Sequence, residues 1–279
     1  MASILALLSS VLWGTADFLG GNLSKRFKAI AVTGASQGFG LVLGVILVLI
    51  SGSYIAPNLS WNGYFLPSVG AGIAGFFGLV SFYSGLSTGR MGVVSPISTL
   101  SAVIPLSVAF ISGERPTGLQ IFGMAVAIVG AFCASGPDIV SGLPIKPLLF
   151  GLGAALGFGV ALTLMAQGSK TSSLLTMTSM RIASVAVCIL IALRFKTIGG
   201  FGISDLRILI IIGATDFVAN LLLGVATTKG LVSVAMVFGS LFPIVTVLLA
   251  FKFLHERLHK VQYLGVFLAV SGVSLISIG

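Results

Sequence analysis

A ten-helix membrane protein, all-α and built from two inverted five-helix repeats, is the fold predicted by this sequence. Three observations predict it. The composition is too apolar for a soluble domain, the apolar stretches have spanning length, and a duplicated pattern gives each copy an odd number of those stretches.

Hydrophobic residues make up 57% of the 279 and charged residues only 8%, with a mean hydropathy of +1.17. A soluble domain carries about a quarter charged residues. The useful unit is therefore the spanning helix of about 20 apolar residues, and about ten fit along the chain. The net charge of +9 does not point to nucleic acid, because Lys and Arg sit singly in short loops without a basic stripe or interleaved aromatics. The lipid bilayer is the expected partner. Cys133 and Cys188 lie inside apolar segments without metal-ligand spacing and read as small hydrophobes. The N-terminus starts its apolar run at once, lacks a basic leader region and continues into a repeat unit, so no cleaved signal peptide is expected.

The first segment covers about 3–21 and stops at the polar turn Asn22 to Lys28. The second, 29–52, carries Gly34, Gly38, Gly40 and Gly44, spaced to let a neighbouring backbone approach. An interfacial turn with Pro57 and Trp61 precedes the third, 63–87. The fourth, 92–112, contains Pro96 and Pro105, each removing a backbone donor, so a kinked or broken helix is expected. The fifth, 118–135, leads to a Pro- and Gly-rich stretch read as a linker at 138–147, which divides a first repeat (1–137) from a second (148–279). The remaining segments fall at about 148–167, 174–195, 208–227, 231–253 and 261–278.

The duplication is read directly. Gly92, Ser95 and Pro105 match Gly230, Ser233 and Pro243 at one offset. Glu114, Arg115, Gln120 and Gly123 match Glu256, Arg257, Gln262 and Gly265 at an offset four residues larger. Early in the halves, Trp13-Gly14 lies opposite Phe158-Gly159 at an offset of 145. Five segments per copy is odd, so the second copy enters the membrane from the opposite side. Loops after odd-numbered segments hold eleven Lys and Arg residues, Lys25, Arg26 and Lys28 among them, against Arg115, Lys170 and Lys229 on the other face. The positive-inside rule makes the eleven-residue face cytoplasmic and puts both termini outside.

Ionisable groups inside hydrocarbon are costly, about 2.5–3.5 kcal/mol each on insertion scales, and usually face a cavity or a partner. Asp17, Arg181 and Asp216 qualify. Asp17 shares a face with Ser10 and Trp13, and Asp216 heads a stripe with Gly213, Asn220 and Gly224. Arg181 and Asp216 both fall toward mid-membrane, where they either form an ion pair that fixes packing or line a substrate path. An Arg there suits a carboxylate or phosphate, and an Asp can take a coupling proton. Gln37, with Thr33 on its face, and Ser95 and Ser98 beside Pro96 complete the candidates, the last two because a kink frees backbone groups for substrate. The substrate-binding set is thus Trp13, Asp17, Gln37, Ser95, Ser98, Arg181, Asp216 and Asn220.

His255-Glu256-Arg257-Leu258-His259 fits the zinc-protease pattern H-E-x-x-H. Its repeat partner, Gly113-Glu114-Arg115-Pro116-Thr117, keeps Glu-Arg and lacks both histidines. What the duplication retained is a charged turn, so no metal, cofactor or catalytic residue is expected.

Trp13-Gly14, the Pro243 segment leading to Glu256-Arg257-Leu258, and Gln262-x-x-Gly265 together resemble the drug/metabolite transporter superfamily, in particular ten-helix proteins of two EamA-type repeats. The resemblance covers essentially the whole chain. It implies export of amino acids or other metabolites, or movement of sugars and nucleotide sugars, with segments 1–4 and 6–9 lining a cavity and 5 and 10 as supports. Two departures stand out. Pro105 to Glu114 is four residues shorter than Pro243 to Glu256, about one helical turn. Relatives commonly keep both termini in the cytoplasm, whereas the charge count puts them outside.

The expected function is secondary transport of a small polar or charged metabolite by alternating access, as proton-coupled export in a prokaryotic plasma membrane. A passive facilitator or channel is the alternative, a membrane scaffold a third reading, and an intramembrane zinc protease a distant fourth. Ten helices are enough to enclose a cavity in one chain.

Overall fold

The computed structural model describes residues 1–88, 91–134, 145–195, 199–254 and 259–279. All regular structure among them is helical: α1 (Ala2–Leu23), α2 (Ala29–Ser51), α3 (Phe65–Ser87), α4 (Met91–Thr99), α5 (Val103–Ile111), α6 (Gly118–Ala134), α7 (Ile145–Phe195), α8 (Ile203–Lys229), α9 (Val232–Gly239), α10 (Phe242–Leu254) and α11 (Lys260–Ile278). Eight described spans are long and apolar enough to cross a membrane, and α6 is a shorter apolar helix. Two of the spans join helix pairs, α4 with α5 and α9 with α10.

Breaks occur at two of the prolines, whereas Pro96 lies inside α4 without interrupting it. Pro105 stands in the first turn of α5, just after a 3₁₀ turn at Leu100–Ala102, and Pro243 in the first turn of α10, just after a turn that ends α9. A proline withholds the amide that would continue the preceding helix, so each helix ends there and restarts. The shortened first copy is visible as well: α5 has 9 residues and α10 has 13.

α7 is 51 residues long but contains Ser172 in an extended conformation (φ −161°, ψ 114°). It therefore consists of two arms, 145–171 and 173–195. The Ser172 hydroxyl accepts the Leu175 amide, starting the second arm as an N-cap. Ile145, Lys146 and Pro147, expected in the linker, instead form the first turn of α7, where proline costs no hydrogen bond. α8 starts at Ile203, earlier than hydropathy alone places it, because the Asp205 carboxylate accepts the Gly202 amide at 3.0 Å and caps the helix.

Loop contacts sort the two faces. On one, Arg26 pairs with Asp205 at 3.2 Å and Phe27 stacks near Phe201, joining the turn after α1 to the start of α8. On the other, Gly230 lies against Ala2, Gly279 against Thr117, and the Thr171 hydroxyl donates to the Asn62 carbonyl. Both termini thus share a face, which requires an even number of crossings.

The repeats are related by inversion, and α6 with α11 shows why. Along this antiparallel pair Gly123 meets Ile276, Ala127 meets Gly272, Gly130 meets Ala269, and Ala134 meets Gly265. In the register that aligns Gly123 with Gly265, every one of these contacts is the copy of another with the roles exchanged. Only a two-fold axis between the helices does this, and small residues make it possible by letting the backbones touch.

The duplicated charged turn acquires an explanation here. Both oxygens of Glu114 accept amides at the start of α9, from Val232 at 2.7 Å and Ser233 at 3.0 Å. Those amides have no partner within the helix, and the carboxylate faces the positive end of its dipole. Arg115 donates to the Phe110 and Glu114 carbonyls, closing α5. Gln120 and Thr117 exchange hydrogen bonds as a capping box on α6, and Gln262 accepts the His259 amide at the start of α11. Residues 255–258, four of the five in the zinc-protease pattern, lie outside the described residues. Arg90, Lys196 and the linker residues 138–144 do so too.

Candidate functional site

A cavity lies midway along the helices, enclosing about 640 Å³ of atom-free space including the part open to solvent. Its walls come from α1, α2, α3, both arms of α7 and α8, with Ser101 and Phe242 at the two proline breaks. None of its lining residues is on α6 or α11.

Asp216 is the centre of its polar wall. Arg181 Nη2 donates to Oδ2 at 2.7 Å, Gln37 Nε2 to the same oxygen at 3.0 Å, and Trp13 Nε1 to Oδ1 at 3.1 Å. Asn220 Nδ2, one turn along α8, donates to Oδ1 at 3.1 Å and to the Asp216 carbonyl at 2.7 Å. Four side chains on four helical arms thus converge on one carboxylate. The ion pair is deeply sited, its side chains 4% and 13% exposed, where a charge is tolerated only with a partner. Arg181 also has its guanidinium 5.9 Å from the centre of the buried Phe217 ring.

Glycines set the helix spacing that allows this. Gly40 and Gly213 touch each other's backbones, and a Cβ on Gly40 would come within 3.2 Å of Arg181 Nε. In the mirror position, Gly72 lies on the Met180 carbonyl as Gly213 lies on that of Ser36. This pair of contacts fixes the internal register: Ser36 corresponds to Met180 and Gly72 to Gly213. Gln37 is then the counterpart of Arg181, Gly75 of Asp216, and Leu79 of Asn220. All six line the cavity.

Asp17 lines the same cavity one turn from Trp13, on the side of the Lys- and Arg-rich face, and is 7% exposed. Its carboxylate has no hydrogen-bond partner among the described residues. Opposite runs an apolar wall of Ala71, Gly75, Leu79, Phe158, Ala161, Leu162 and Met165 from α3 and the first arm of α7. Trp13 meets Phe242 edge-on at 6.3 Å, Phe242 meets Phe82 at 6.0 Å, and Phe82 meets Phe158 at 5.7 Å, an aromatic chain linking the two walls.

Of the residues expected at the site, Trp13, Asp17, Gln37, Arg181, Asp216 and Asn220 come together. Ser95 and Ser98 are not among the lining residues. Both are buried in α4, with the hydroxyls of Ser98 and Thr99 donating to the Ser95 carbonyl. The break that frees backbone groups lies later, at Leu100–Ala102, so Ser101 reaches the cavity instead. Sequence reasoning missed the apolar wall. The 145-residue offset was its signal, since it sets Phe158 opposite Trp13 and Leu162 opposite Asp17.

Fold and cavity define a helical membrane protein of two repeats that enclose a cavity with one polar wall. The EamA-like transporter family model matches residues 1–136 and again 145–278. The chain belongs to the EamA-like transporter family, and so to the membrane transporters of the drug/metabolite superfamily. An uncharacterized protein of Methanocaldococcus jannaschii is 31% identical over 134 residues, 47% of this chain and 96% of that protein. That relative is thus about the size of one repeat. A protein of known crystal structure shares the fold with a TM-score of 0.79 at 16% identity, over 99% of this chain and 96% of that one.

Proposed function

We propose that this chain is a secondary transporter that carries a small polar or charged metabolite by alternating access, outward and coupled to protons. Ten spanning segments form repeats 1–137 and 148–279, with the Lys- and Arg-rich face in the cytoplasm of a prokaryotic cell and both termini outside.

The observation that carries the reading is the Asp216 cluster. Its donors come from both repeats, Trp13 and Gln37 from the first and Arg181 and Asn220 from the second. Alternating access moves one set of helices against the other around a central site. A carboxylate held by both sets is therefore a pin between them, and a proton or substrate that changes its charge changes which arrangement is stable. A scaffold has no need of such a cavity, and a passive facilitator has no need of a carboxylate bridging the repeats.

The test is untargeted metabolite profiling of medium from cells expressing the wild type and Asp216→Asn. A metabolite released by the wild type and retained by the variant supports the site, and identical profiles overturn it. In proteoliposomes, accumulation against a gradient under an imposed pH difference separates a coupled transporter from a facilitator, which only equilibrates.

A further inference from the structure

We propose that the occupant of the cavity is a monocation with an apolar body, a protonated amine, and that Asp17 is its counter-ion. The inference rests on the reading of the cavity as a substrate site and adds the chemical class.

Among the described residues the cavity holds three ionisable side chains, Asp17, Arg181 and Asp216. Arg181 and Asp216 neutralise each other at 2.7 Å, and Asp216 also accepts from Trp13, Gln37 and Asn220. Its two oxygens are saturated. The carboxylate of the site that lacks a donor is therefore Asp17, more than nine-tenths buried, lining the cavity and without a hydrogen-bond partner among the described residues. A carboxylate in low dielectric either takes up a proton or needs something that supplies positive charge and N–H or O–H donors. A protonated amine supplies both.

An anionic substrate fits poorly. The charge of Arg181 is already offset by Asp216, so an anion bound beside it shares the cavity with two carboxylates. Among the described residues only Nη2 of the Arg181 guanidinium has an acceptor, Asp216, and Nε is buried against Gly40. Dicarboxylates and phosphates are disfavoured for the same reason.

The apolar wall sets the rest of the molecule. Leu162, the counterpart of Asp17, and Phe158, the counterpart of Trp13, line the cavity with Leu79 and present no polar atom. A ligand with its ammonium at Asp17 places an alkyl or aryl group against this wall, gaining burial there. The indole of Trp13, one turn from Asp17, adds a face that attracts a cation. A purely polar ligand leaves that wall unused.

Isothermal titration of the full chain in detergent with benzylammonium, benzyl alcohol and benzoate, equal in size and differing in charge, tests this. Wild type is expected to bind benzylammonium at least about tenfold more tightly than the other two, which corresponds to about 1.4 kcal/mol. Asp17→Asn abolishes that preference and Asp17→Glu retains it, with thermal unfolding confirming that each variant is folded. Should Asp17→Asn fail to fold, Leu162→Ala serves, and it weakens benzylammonium while leaving methylammonium unchanged. Equal binding of all three, preference for benzoate, no binding of benzylammonium, or a cation preference that survives Asp17→Asn overturns the proposal. If it falls while Asp216→Asn still abolishes metabolite release, the substrate class is wrong and the transport site stands.

Discussion

The first turns of the cavity differ most between α1 and its counterpart, the first arm of α7. Trp13-Gly14 and Asp17 on α1 stand where Phe158-Gly159 and Leu162 stand on α7. Both glycines do the same structural work: a Cβ on Gly14 would come within 2.6 Å of the Phe242 carbonyl oxygen, and one on Gly159 within 2.9 Å of that of Ser101. Packing residues are shared by the two copies, while the indole and carboxylate belong to one. The same holds farther on, where Asp216 and Asn220 face Gly75 and Leu79 across the pseudo-symmetry. Inversion supplies a scaffold in which the two copies pack alike. The charges then occupy one wall only, giving the cavity a polar side and an apolar side.

Removing the centre of the polar wall has the largest expected effect. Asp216→Ala leaves Arg181 charged and unpaired in the interior, at a cost of about 3–5 kcal/mol, read as a fall in thermal unfolding temperature in detergent. Next comes a swap of counterparts. Arg181→Gln alone costs about 3 kcal/mol. Because Gln37 and Arg181 reach the same Asp216 oxygen at 3.0 and 2.7 Å, Gln37→Arg in the same chain recovers most of the loss. A double-mutant cycle measures the recovery, and simple addition of the two single effects would show that the sites are not equivalent.

The supporting pair is less sensitive. Gly272→Leu pushes a side chain into the Ala127 backbone and costs about 1–3 kcal/mol in the same melts. Smallest is Glu114→Gln, which keeps one acceptor and loses the charge at the α9 N-terminus, about 1 kcal/mol. A larger loss would mean that this carboxylate does more than close the helix end.

Much of this was legible in the chain. Pro105 and Pro243 marked the breaks because a missing amide acts locally. Asp17, Arg181 and Asp216 stood out because charge within an apolar run is conspicuous. Ser95 and Ser98 fall outside the cavity lining because the direction a hydroxyl faces depends on how the helix is turned. The apolar wall went unread for a similar reason: Leu79 and Leu162 look like any other leucine in a membrane helix.

Composition, apolar segment length and the odd-numbered duplication by themselves determined a helical membrane protein of two inverted repeats, since bilayer thickness and backbone hydrogen bonding leave few alternatives. The duplicated Glu-Arg and Gln-x-x-Gly pattern was legible too, though its meaning as helix caps and a contact of α6 with α11 was not. Only the tertiary structure decided that Asp216 collects Trp13, Gln37, Arg181 and Asn220 while Asp17 stands without a partner among the described residues. These residues come from segments far apart in the chain, and helix rotation and close glycine contacts, which no local pattern encodes, settle which side chains share a cavity.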